Sequence, residues 1–332
     1  MFENVSILGI SSAVPNSDKG ISIERQTASD LAFAAVNQIF ANCKIDKEEI
    51  GVLIFLSTTP DYRSPATALV LQSRLGINTD CISYDLNVGG CGFLQGLQVG
   101  SSLLKTTNKK FALVLLGDTP SKQSYSTGDD NSTFSDAGTA IILEKEDNAH
   151  KWIFSSLTKS NSFDKFILRN GGYRNAISQG NDEPYTGLSD LGPLLIDSDF
   201  IAAQQKELIP ATINNHLITR GKKIKDFDFL LYDHSDYNIF KHIKEVLKIE
   251  DERTFPSLLS YGNTRGSFLP LLIAENLKVK EDNQTKPFHL LLTSFGEGLS
   301  ITVAEININP SAIFPYVKTD MFFEEGVVGQ QM

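Results

Sequence analysis

Short runs of apolar, β-branched residues alternate along the chain with stretches whose apolar positions recur at helical spacing. VSILGI (5–10) is followed by a helical pattern from about Thr27 to Ala41, then by VLIFLS (52–57) and a predicted helix from Pro65 to Leu75. CISYDL (81–86), a helix from about Gly92 to Leu104 and FALVLLG (111–117) continue the series. This alternation predicts a layered α/β fold. A long helical stretch from about Phe200 to Arg220, with Pro210 inside it, opens a second series. FDFLLYD (227–233), helices from about Ser235 to Leu247 and from about Ser267 to Asn276, and FHLLLTS (288–294) complete it. Two similar halves, residues 1–165 and 166–332, point to an internally duplicated fold. Where they meet, from about Ser155 to Asp197, the chain is rich in Ser, Asn, Asp and Gly and poor in periodicity, as expected of a cap beside a substrate entrance. The residues after Asn309 read as a docking strand followed by a loose tail.

Composition narrows the function. With 332 residues, 41% of them hydrophobic and 21% charged, the chain has material for a large core. A net charge of −10 and the lack of a long Lys/Arg block argue against nucleic-acid binding. MFENVSILGI at the start has neither the basic flank nor the apolar length of a targeting or membrane segment, so a cytoplasmic protein is expected. Cys43, Cys81 and Cys91 form no C-x-x-C pair, which predicts reduced thiols rather than a disulfide framework or a zinc site. Asp129, Asp130 and Asp136 lack the glycine and terminal glutamate of a calcium loop. No metal or other cofactor is expected.

Three glycine-containing turns at predicted strand ends carry candidate chemistry, because α/β folds build sites there. In DLNVGGCGF (85–93), Cys91 stands at the start of a helix, where unpaired N–H groups and the helix dipole lower a thiol pKa. Its plainer reading is a small buried residue. In YDHSDYN (232–238), His234 follows an apolar strand; in YGNTRGS (261–267), Asn263 precedes a helix. Together the two offer proton exchange and hydrogen-bond donors to a developing oxyanion or enolate, though each alone fits a surface histidine or a helix cap. Phe295, Gly296, Glu297 and Gly298, in TSFGEGLS, supply a turn whose backbone N–H groups approach a bound carbonyl.

Taken in order, STTPDYRSPATALVLQSRLG (57–76), the DLN…GF turn, STFSDAGTAIIL (132–143), DHSDYNIFKHIKEVL (233–247), LSYGNTRGS (259–267) and SFGEGLSITVA (294–304) resemble the β-ketoacyl-acyl carrier protein synthase III family. The resemblance covers roughly residues 1–308. It implies the five-layered αβαβα thiolase architecture, usually as a homodimer, and a Cys-His-Asn triad. In that family the cysteine accepts an acyl group, while His and Asn assist decarboxylation of a malonyl unit whose enolate attacks the thioester. His234 and Asn263 fall on the family's histidine and asparagine, and the Glu297 N–H on the second oxyanion donor. The family's cysteine lies five residues after the aspartate and three before the phenylalanine, which from Asp85 and Phe93 is Gly90. Cys91 is one position late, and a one-residue step turns a helical side chain by about 100°.

Two further departures bear on substrate. The histidine is followed by Ser235, Asp236 and Tyr237 instead of Gln-Ala-Asn, and the family's Trp/Arg segment for coenzyme A is not recognisable among the eleven residues between Pro15 and Thr27. Acyl and malonyl thioesters, an acyl carrier protein, and a second copy or another ketosynthase as dimer partner are the expected partners. Lys222, Lys223 and Lys225 with Lys241, Lys244 and Lys248 form a candidate patch for the acidic carrier. Three readings follow: a condensing enzyme using Cys91, a companion or malonyl decarboxylase without self-acylation, or a binding module keeping the fold by descent.

Overall fold

The computed structural model describes residues 3–18, 20–123, 134–147, 149–169, 174, 194–257, 262–278 and 286–324. One sheet holds β1 (Val5–Pro15), β2 (Ile50–Leu56), β3 (Ile82–Leu86), β4 (Phe111–Asp118), β5 (Ala137–Lys145) and β12 (Val317–Thr319), in the order β12-β1-β5-β4-β2-β3. A second holds β6 (Ile153–Thr158), β9 (Phe229–Tyr232), β10 (Phe288–Gly296) and β11 (Ser300–Ile308), in the order β6-β11-β10-β9. The short strands β7 (Phe166–Ile167) and β8 (Leu195–Ile196) pair with each other.

Helices fill the remaining layers. α1 (Ala28–Asn42) and α2 (Thr67–Leu75) cover the outer face of the first sheet. α3 (Gly92–Leu104) and α6 (Phe268–Leu277) lie between the sheets, and α4 (Ser198–Arg220) and α5 (Tyr237–Leu247) cover the outside of the second. The result is the expected five-layered αβαβα arrangement. Its core follows the layering: α3 and α6 pack between the sheets with residues such as Leu56, Phe93, Leu231 and Leu292, while separate clusters underlie α1 and α2 and underlie α4 and α5. All seven residues of β2 are buried because both faces of that strand are covered by helices.

Local sequence explains the ends of the elements that frame the site. Asp85, on β3, accepts hydrogen bonds from the backbone of Thr67 (2.6 Å) and Ala68 (2.7 Å), satisfying the first N–H groups of α2. Asp236 does the same for α5 through Asn238 and Ile239 (2.7 and 3.0 Å). The α5 face bearing Ile239, Phe240, Ile243 and Leu247 is buried, and its spacing is that of one helical stripe.

The strands and helices read from the apolar pattern are present, with β1 running on to Pro15. β6 pairs with β11, so the chain enters the second sheet at Ile153, ahead of residue 165. β12 returns to the first sheet, with Ala13, Val14 and Pro15 facing Val317, Lys318 and Thr319 in parallel register. The strand expected after Asn309 is this one. Much of the expected cap, 170–173 and 175–193, and the end of the tail, 325–332, lie outside the described residues.

Candidate active site

A cavity of about 310 Å³ opens where five segments converge. They are the turn before α3 (Gly90), the turn before α6 (Asn263, Arg265), the end of β10 with its following turn (Phe295, Gly296, Glu297), the turn after β9 (Ser235, Asp236) and the start of α4. Phe134, Phe166, Ile196 and Ile201 give it an apolar wall.

Gly90, and not Cys91, reaches this cavity. Cys91 is fully buried, and its Sγ donates to the Ser300 carbonyl at 3.2 Å. Burial pushes the thiol from its ordinary value near 9 up to about 12, against smaller opposing contributions from Ser294 and Ser300. That rise is worth roughly 4 kcal/mol. The helix-dipole effect that motivated a reactive thiol here is worth at most ~2 kcal/mol at a buried site. Burial therefore outweighs it, and the thiolate expected at the start of α3 is disfavoured. Gly90 itself has no room for a side chain: a Cβ there would stand 2.1 Å from the Phe295 carbonyl oxygen.

Asn263 lines the cavity, with its Oδ1 accepting the Arg265 N–H at 2.7 Å. That bond fixes the orientation of the carboxamide, whose donor end is Nδ2. His234 lies behind the lining, 7% exposed, with Phe240 and Phe268 rings at 5.1 and 5.0 Å. Its Nδ1 meets the Tyr232 carbonyl at 3.0 Å. A carbonyl only accepts, so the proton sits on Nδ1 and Nε2 carries a lone pair, approached by the Ser257 N–H at 3.4 Å. Desolvation lowers the imidazole pKa to about 4. The expected donor role thus passes to Asn263, while His234 presents a neutral acceptor.

An ion pair that the sequence reading did not single out occupies the floor. Arg265 Nη1 donates to Glu297 Oε1 at 3.2 Å and to Thr58 Oγ1 at 2.6 Å, and Nη2 to Gln123 Oε1 at 3.3 Å. Gly90 N–H donates to Glu297 Oε2 at 3.1 Å. Behind Arg265, Asp118 accepts from the Thr58 N–H and hydroxyl at 2.8 and 2.7 Å; burial raises its pKa to about 6, opposed first by the Arg265 charge. A charged residue beside the Asn263 turn and another inside the glycine turn were the available signals. Their pairing across 32 positions required the fold.

Comparisons with known proteins give this geometry its context. The profile of the 3-oxoacyl-[acyl-carrier-protein] synthase III family matches residues 84–162, and that of the family's C-terminal region matches 217–308. The chain belongs to the 3-oxoacyl-[acyl-carrier-protein] synthase III family. Among synthase III relatives, the β-ketoacyl-[acyl-carrier-protein] synthase III of Acholeplasma laidlawii is 27% identical over 288 residues, spanning 85% of this chain and 84% of the relative. A putative 3-oxoacyl-[acyl-carrier-protein] synthase 3 of Campylobacter jejuni is 29% identical over 294 residues, spanning 86% and 80%. The crystal structure of a 3-oxoacyl-(acyl-carrier protein) synthase from Burkholderia xenovorans superimposes with a TM-score of 0.84 at 27% identity, covering 96% of this chain and 98% of that one. In this synthase III chain the matched segments contain the Gly90 turn, Asn263 and the Glu297 turn, which line the cavity, and His234 next to the lining residues Ser235 and Asp236.

Of the candidate docking lysines, Lys241 and Lys244 lie on α5, which begins beside the cavity-lining Asp236, and Lys248 caps its end. Lys241 and Lys244 share one side of the helix by their spacing. Lys241 faces Glu245 at 3.8 Å, and Lys244 pairs with Asp251. Among the described residues no group of His, Cys, Asp and Glu is arranged to hold a metal ion, and no helix is long and apolar enough to cross a membrane.

Proposed function

We propose that this protein is a condensing enzyme of fatty acid biosynthesis, joining an acyl thioester to the two-carbon unit left when a malonyl thioester on acyl carrier protein loses carbon dioxide. The observation carrying this reading is Asn263 in the cavity lining, its Oδ1 held by the Arg265 N–H, with the desolvated imidazole of His234 in the turn that brings Ser235 and Asp236 to the same cavity. A neutral imidazole does not pin a malonyl carboxylate by charge, and the Phe240 and Phe268 rings favour release of an uncharged product. Asn263 donates to the thioester oxygen as it gains enolate character, a contribution made in the transition state more than in the ground state.

Gly90 at the cavity and Cys91 behind it support transfer without an acyl-enzyme. The malonyl-derived enolate carbon bonds to the carbonyl carbon of a donor thioester held in the same site. The donor's C–S bond breaks, and the departing thiolate takes a proton from solvent. Carrier docking along Lys241, Lys244 and Lys248 presents an acidic partner to the cavity mouth. We place the protein in the cytoplasm, as a homodimer joined through the free edge of the first sheet at β3, where Tyr84 is 54% exposed.

The test is incubation with acyl and malonyl carrier proteins, following carbon dioxide and the 3-oxoacyl product by mass spectrometry. Product is expected, and His234→Ala and Asn263→Ala are each expected to lower its rate about a hundredfold. Carbon dioxide without a condensed product would reduce the activity to decarboxylation. Neither signal would end the proposal.

A further inference from the structure

The Arg265 and Glu297 pair has no part in decarboxylation as described, yet it lies on the cavity floor. Its two members are held very differently. Arg265 is 3% exposed, its guanidinium sits 5.4 and 5.2 Å from the Phe134 and Phe166 ring centres, and Thr58 and Gln123 fix it. Its backbone is in the left-handed region, at φ 51°, a conformation that persists in a bulky residue only when its surroundings impose it. Nε of this buried guanidinium has no hydrogen-bond partner among the described residues. Glu297 is looser. Its side chain is 24% exposed, and its bonds of 3.2 and 3.1 Å are long beside the ~2.7–2.9 Å of strong charge-assisted contacts.

Space for the carboxylate is built into the opposite turn. A Cβ on Gly89 would stand 2.5 and 2.6 Å from the Glu297 oxygens, and Gly90 turns its N–H to the same group. The floor is thus a fixed guanidinium and a backbone N–H around one carboxylate that can leave toward solvent.

We propose that Arg265 and the Gly90 amide form a seat for the distal carboxylate of the acyl donor, kept filled by Glu297 until the donor enters, so that the preferred donor is a half-thioester of a dicarboxylic acid. The inference rests on the thioester-condensing reading above and adds the donor's chemical class. A donor ending in methyl would cover an ion pair and offer it nothing in place of water, which costs free energy. A carboxylate-ended donor exchanges like for like and returns Glu297 to solvent. The seat suits the donor rather than the malonyl unit, because a carboxylate paired with a guanidinium is stabilised in its ionised ground state and resists losing carbon dioxide. It also holds a donor that no covalent bond retains.

Calorimetric titration of the full chain with S-succinylpantetheine and S-butyrylpantetheine tests this, since the two have equal chain length and differ at the terminal carboxylate. The succinyl ester is expected to bind at least about tenfold more tightly, the factor that 1.4 kcal/mol supplies. Glu297→Gln, which removes the resident charge while keeping its shape, should tighten succinyl binding severalfold and leave butyryl binding within twofold. Arg265→Gln should abolish the preference, with thermal unfolding checking that it folds. Equal affinities in the wild type, or an unchanged ratio in Glu297→Gln, would overturn the seat while condensation of butyryl donors would leave the enzyme reading intact. Failure of both esters to bind, together with absence of carbon dioxide release from malonyl carrier, would overturn both.

Discussion

Gly90 decides what the turn before α3 can present. With the Phe295 oxygen 2.1 Å from a hypothetical Cβ, even a methyl group forces the two halves of the site apart. Gly90→Ala is expected to destabilise the fold by roughly 1–3 kcal/mol, as overpacking of a rigid contact does, and calorimetry should record a lower melting temperature. His234 makes a prediction in pH. Its pKa, lowered to about 4 by desolvation, leaves the imidazole neutral through the physiological range, so carbon dioxide release should be insensitive to it from pH 8 to about 5 and fall as it gains charge through about 4. Asp118, raised to about 6 by burial, lies behind Arg265, which takes no part in decarboxylation, so the limb belonging to His234 should be unchanged in Asp118→Asn. His234, Asn263 and the glycine turn were legible as candidates because each lies at a strand or helix end. The register also showed Cys91 to be one position late; what the displaced thiol packs against, the Ser300 carbonyl, was not legible because it comes from the second sheet.

Among the described residues β3 has an unpaired edge, next to the Gly90 turn, and all five of its residues are at least partly accessible. Two copies paired through this edge would bring like positions together across a two-fold axis. Tyr84→Asp is therefore expected to place charges in that interface and shift the protein toward monomer in light-scattering chromatography, whereas an unchanged mass would remove β3 from the interface. The same accessibility explains what the apolar pattern reveals. β2 and β4, buried on both faces, read as unbroken apolar runs. β6, an edge strand with Ser155, Ser156 and Thr158 at least partly exposed, carries no such run, so its membership of the second sheet appeared only in its pairing with β11. Helices such as α5, with one buried stripe and a capping aspartate, announced both their periods and their starts.

The molecule as a whole builds its site from both sheets, with the Gly90 turn approaching from the first half and β10, α4 and the Asn263 turn from the second. Layering and duplication were legible because they follow from the order of strands and helices. The floor of the cavity was not, because Arg265, Glu297 and Gly90 meet only after the halves dock. Condensation without an acyl-enzyme is open to intact-protein mass spectrometry during turnover, run on wild type and Cys91→Ala. The expected result is 3-oxoacyl product with no acyl mass added to the protein, and a Cys91→Ala rate within about twofold of wild type, since only a buried thiol is lost. An acyl adduct mapped to Cys91, with product formation abolished in Cys91→Ala, would contradict it.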